Sequence, residues 1–174
     1  MRTRRAIAAG LVGGALVIAI LRGAAWISGD ESDLCAALGA IMTGDVGTAA
    51  WVAGCGLQFV AAIAAAIVYA AIFERVLRRA GAMAGVLIAV PHVVVAGLAT
   101  GFLPASRLLD AGGMPPGAFM EYRGAAVVSG FLLAHLTFGA VVGLMYGDTR
   151  YVARETTLVW HDVTGGEGRH PARE

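Results

Sequence analysis

Four stretches of this chain, residues 6–27, 49–73, 82–103 and 124–147, each run for more than twenty residues, and they hold one charged side chain between them, Arg22. A helix of about twenty residues is about 30 Å long, the thickness of a bilayer's hydrocarbon core. No water is available there to satisfy a backbone, so a spanning stretch without a barrel must be helical. The chain is 58% hydrophobic and 14% charged, against about 25% charged in a typical soluble domain. That imbalance is too large for one soluble core. The expected fold is therefore an all-α, integral membrane four-helix bundle, residues 1–147, followed by a polar tail at 148–174.

The connections are read from charge and from turn residues. Residues 1–5, M-R-T-R-R, make a basic start. A cleaved leader ending near residues 23–25 is the competing reading of the first stretch, but Arg22 is badly placed for it. The loop at 28–48 is acidic, with Asp30, Glu31, Asp33 and Asp45. Inside it, residues 33–42 have helical apolar spacing and an N-cap candidate in Ser32. This helix is too short to span and is expected at the interface or in the bundle mouth. Arg22 is expected to reach outward and pair with Asp30, Glu31 or Asp33. Pro91 is expected to break the third span in its middle.

The arginines set the orientation. Arg2, Arg4, Arg5, Arg75, Arg78, Arg79, Arg150 and Arg154 flank the spans on one side, and only Arg22, Arg107 and Arg123 lie on the other. The positive-inside tendency then places both termini in the cytoplasm. Trp26, Trp51, Phe102 and Tyr122 are expected in one interfacial belt, and Tyr69, Phe73 and Tyr146 in the other. Cys35 and Cys55 fall toward the outer side. An oxidising compartment would allow them to pair, but two free buried thiols are the expectation. They match no zinc or redox motif.

Small residues recur at helical spacing. Gly139, Gly143 and Gly147 share a face with His135, and Gly10 with Gly14 and Gly81 with Gly85 repeat the pattern. Lipid gives helices no hydrophobic reason to associate, so small faces serve as packing surfaces, within the chain or in a homo-oligomer. Gln58, His92 and His135 are the candidate polar cluster inside the spans. At 1.5 Å per residue the two histidines lie near one depth. Intramembrane ionisable groups carry a functional hypothesis by default. Three readings compete: an interhelical hydrogen bond from His135 to Gln58 or His92, a proton or small-solute path, and bis-histidine haem ligation. Laying Gln58 on His135 brings Tyr69 onto Tyr146, which suggests a duplicated two-helix hairpin related by an axis along the membrane normal.

The four-span layout and the run H-L-T-F-G-A-V-V-G-L-M-Y-G at residues 135–147 resemble a family of small bacterial inner-membrane proteins. Its members carry H-L-x-x-G-x-x-x-G-x-x-Y-G in the last span and often a histidine in the second, where this chain has Gln58. The resemblance implies the fold and an inner-membrane location, and it brings no activity with it. The chain has no nucleophile–base motif, P-loop or dinucleotide fingerprint, and its few aromatics do not interleave with basic patches as nucleic-acid binding requires. The lipid bilayer is the expected partner. A non-enzymatic structural or accessory membrane protein is the first functional expectation. A small-solute or proton transport module using Gln58, His92 and His135 is the second, and a haem- or metal-binding redox protein is the third.

Overall fold

A computed structural model describes residues 2–29, 33–104 and 115–147. Asp30, Glu31, Ser32, Arg107 and the tail at 148–174 lie outside the described residues. Those described form helices and turns, with no strand among them. The helices are α1 (Thr3–Ser28), α2 (Leu34–Thr43), α3 (Thr48–Ile72), α4 (Ala82–Thr100) and α5 (Ala125–Tyr146). A π-helical turn, Phe73–Leu77, prolongs α3, and a short 3-10 helix, Ala118–Arg123, precedes α5. Four helices, α1, α3 with its π turn, α4 and α5, are each long and apolar enough to cross a bilayer.

The helices pack in the order α3, α1, α5, α4. α1 lies between α3 and α5, and α4 packs on α5. α3 and α4 do not form a packed pair, so the bundle has a seam between them. This is not the arrangement expected of a two-fold duplicated hairpin, in which the contact of α1 with α5 would be matched by an equal one of α4 with α3. The two tyrosines of the proposed repeat are nonetheless both buried.

Glycine decides how near the helices come. A Cβ at Gly10 would stand 2.7 Å from the Cα of Ile63, and one at Gly14 would stand 2.8 Å from the Cβ of Ala62. Across the other interface, Gly85 and Gly139 face each other's carbonyls, and Gly143 faces the carbonyl of Gly81. Gly14 meets side chains, but at Gly10, Gly85, Gly139 and Gly143 the nearest contact is with backbone, the close approach that small residues permit in lipid. Gly147 is not part of this set. It follows the last residue of α5 at φ 77°, a left-handed conformation that suits glycine. It ends the helix instead of packing it.

Two other expectations are corrected. α4 runs unbroken through Pro91, whose ring is exposed. Proline removes one backbone donor but need not stop a membrane helix. Tyr69, Phe73 and Tyr146 are only 2%, 0% and 1% exposed, so they form an internal column and not an interfacial belt. At the other end Trp26 and Phe102 are 82% and 88% exposed.

α2 folds back antiparallel on the start of α3. Gly39 meets the backbone of Ala50, and Gly54 meets the backbone of Cys35. Cys35 and Cys55 are joined in a disulfide, with Cα atoms 4.7 Å apart. The expectation of free thiols fails because this glycine contact brings the two Cα atoms within the span a disulfide bridges. The N-cap of α2 is Asp33. Its carboxylate accepts hydrogen bonds from the N–H groups of Cys35 and Ala36 at 2.7 and 3.1 Å. It also accepts one from the indole Nε1 of Trp51 at 3.1 Å. Asp33 and Arg22 share the wall of a small crevice near the same end.

Candidate functional site: an uncharged polar cavity inside the bundle

Gln58 on α3, His92 on α4 and His135 on α5 line one chamber of about 180 Å³, walled otherwise by small or apolar side chains. One water needs only about 10–15 Å³. The packing leaves this space because the chamber is lined by Ala61, Ala62, Ala65 and Ala96, whose methyl groups cannot fill it. A second chamber of about 220 Å³ adjoins it, sharing Val17, Gln58, Ala96 and His135, and extends among Leu21, Leu34, Leu38, Leu103 and Met120.

The histidine rings stand with centroids 5.3 Å apart, edge to face at 76°. The hydrogen bonds they make are not those expected. Among the described residues none links His135 to Gln58 or to His92. His135 instead places Nδ1 2.8 Å from the carbonyl of Phe131, one turn back on its own helix. A carbonyl only accepts, so Nδ1 carries the hydrogen, and in the uncharged ring Nε2 presents a lone pair. The Phe131 ring lies 4.2 Å from the imidazole and fixes its orientation. His92 pairs through Nδ1 with the hydroxyl of Tyr69 at 3.1 Å. The side-chain amide of Gln58 has no hydrogen-bond partner among the described residues. Three hydrogen-bonding side chains therefore converge on one space with capacity left over.

Tyr69 is the residue that sequence reasoning misplaced. It lies eleven positions after Gln58, hence on the same helix face. The signal was present, but a tyrosine near a helix end also fits a lipid interface.

One end of the cavity is shut. Phe138, Tyr69, Phe73 and Tyr146 follow one another with ring centroids 5.7, 6.2 and 5.8 Å apart. Below them the Tyr146 hydroxyl donates to the Glu74 carboxylate and accepts from the backbone N–H of Arg2 at 3.1 Å. The π-helical turn at Phe73–Leu77 includes Glu74; such turns widen the helix and re-aim side chains. Tyr146→Phe is expected to lower stability by about 1 kcal/mol, because the hydroxyl is buried and used twice. A denaturant titration in detergent would read this as a lowered midpoint with an unchanged slope.

The opposite end is roofed. Leu34 and Leu38 of α2 and Met120 of the 3-10 helix close over the second chamber. The Thr100 hydroxyl lies 2.8 Å from the carbonyl of Gly117 and ties that segment to α4. Phe119 and Met120 hold left-handed backbone at φ 54° and 63°, uncommon for non-glycine residues. Phe119 lays its ring over Gly97, so that a Cβ there would force the ring to shift.

Among the described residues no carboxylate and no arginine lines either chamber. The described residues hold no cluster of three metal-ligating side chains. With the histidine rings 5.3 Å apart and in edge contact, no porphyrin plane fits between them, so these side chains do not suit bis-histidine haem. The arrangement suits recognition of an uncharged molecule by a few polar groups in an apolar pocket. Comparison with protein-family models, with curated proteins and with solved structures finds no match for this chain.

Proposed function

We propose that this chain is a non-enzymatic multi-pass membrane protein that takes a small uncharged molecule into the bundle and holds it on Gln58, His92 and His135. The observation that carries this reading is the unfilled chamber on which these three side chains converge. A purely structural contact would leave the polar groups bonded to one another and the space closed, because polar groups left unpaired within an apolar bundle are costly. A proton path is less well supported. Between the His92–Tyr69 pair and the Tyr146–Glu74 pair stands Phe73, which offers no group to carry a proton.

The proposed setting is a bacterial inner membrane with the arginine-rich end in the cytoplasm. Two unrelated features support it. Arg2, Arg4, Arg5, Arg75, Arg78 and Arg79 gather at one end. The disulfide between Cys35 and Cys55 lies at the other, and disulfides persist in oxidising compartments.

Cysteine accessibility tests the site. Both native cysteines are tied in the disulfide, so one introduced thiol reports alone. Ala96→Cys, in the wall of both chambers, is expected to react with methyl methanethiosulfonate. The rate should exceed that of Ala66→Cys, which is fully buried outside the chambers, by tenfold or more, as expected of an accessible against an enclosed thiol. Equal, slow rates at both positions would remove the proposal.

A further inference from the structure

Where the chambers reach the surface says how a ligand arrives. Val17 of α1 and Phe138 of α5, which form the back wall, are buried. Ala61 of α3 and Ala99 of α4 line the chambers and are themselves exposed. The cavity therefore opens through the seam between α3 and α4, the long helices that do not pack as a pair. Tyr69 and His92 bridge that seam at the closed end. In a bilayer the surface at this depth faces acyl chains, not water.

The lining then says what chemistry fits. His135 Nε2 is an acceptor, since Nδ1 is committed to the Phe131 carbonyl. An acceptor calls for a donor on the ligand, and a hydroxyl is the uncharged group that supplies one. With the hydroxyl's one hydrogen given to His135 Nε2, the side-chain N–H of Gln58 can donate to the hydroxyl oxygen. Among the described residues no charged side chain lines either chamber, which disfavours a carboxylate or an ammonium head, since it would enter unpaired. The second chamber continues from Gln58 and His135 among leucines and Met120, an environment for a hydrocarbon chain.

We infer that the cavity binds an uncharged lipid with a hydroxyl head. The head sits between Gln58 and His135, and the molecule enters from the bilayer through the seam between α3 and α4. This rests on the reading of the cavity as a ligand site and adds to it the ligand class and the route.

The test uses the full-length protein in nanodiscs and three photoreactive probes that share one diazirine-bearing sixteen-carbon chain. One ends in a hydroxyl, one in a methyl ether and one in a carboxylate. The alcohol is expected to label residues of α3 and α4 along the seam. Labelling by the ether should be about tenfold weaker, the loss of one hydrogen bond to a half-buried acceptor. His135→Phe should bring the alcohol down to the level of the ether and leave the ether unchanged. Gln58→Leu should also weaken alcohol labelling, and it provides a second variant should His135→Phe fail to fold. The inference is overturned if alcohol and ether label equally, if the carboxylate labels as well as the alcohol, or if all labelling lies away from the seam. Should Ala96→Cys prove reactive while the probes do not discriminate, the cavity remains a ligand site and the lipid class fails. An inert Ala96→Cys removes both.

Discussion

Gly85→Val is expected to be the most damaging single substitution in the bundle, costing at least about 3 kcal/mol, the upper end of the range for overpacked cores. A Cβ at Gly85 would overlap the Gly139 carbonyl and would stand 3.2 Å from the backbone nitrogen of Gly143. These are main-chain atoms, so no rotamer change can make room. α4 and α5 would have to part, and parting would undo the 5.3 Å approach of His92 and His135. The effect should appear as a large fall in the unfolding midpoint together with loss of alcohol-probe labelling. Gly56→Val is the control. Nothing lies within 4 Å of a Cβ at Gly56, and the change there should stay within about 0.5 kcal/mol. If the two variants proved equally stable, α4 and α5 could not be in backbone contact at Gly85.

The second large effect is expected from Cys35→Ser combined with Cys55→Ser. The disulfide closes a loop of 20 residues, and the chain-entropy model assigns such a loop about 3 kcal/mol. The loss should not spread evenly. α2 rests chiefly on α3, through the disulfide, the Gly39 and Gly54 contacts and the Asp33–Trp51 hydrogen bond. Without the covalent link, Leu34–Thr43 should open locally before the long helices separate. Amide exchange in that segment should then rise by roughly a hundredfold, the equivalent of about 3 kcal/mol, with little change in α1 or α5. Unchanged exchange in α2 would mean that the glycine contacts alone hold the roof.

Much of the site was legible as a set of residues and almost none of it as a set of bonds. Gln58, His92 and His135 stood out because polar side chains are rare in apolar spans, and counting residues placed the histidines at one depth. Their partners were hidden. The hydrogen bond of His135 goes to its own helix, a choice made by the ring's rotamer and the neighbouring Phe131. That of His92 goes to Tyr69, a residue whose position near a helix end fits an interfacial belt equally well. Asp33 shows the same limit from the other side. Its place in the acidic loop makes it an ion-pair candidate for Arg22, and it caps α2 and holds Trp51 as well.

The sequence by itself determined the four spanning helices, because hydrocarbon solvent leaves a backbone of that length and composition no other way to satisfy its hydrogen bonds. It also determined which small faces could meet. Only the tertiary structure decided which of them did. Gly85 met Gly139, Gly10 met Ala62 and Ile63, and Gly39 met Ala50, while Gly147 served to end α5. Those pairings are set by contact across helices far apart in the chain, where periodicity carries no information about partners. The same contacts left α3 and α4 apart, brought Cys35 to Cys55, and opened an alanine-lined space in front of Gln58, His92 and His135. A cavity is what packing fails to fill, so it is a property of the assembled helices and of no one of them.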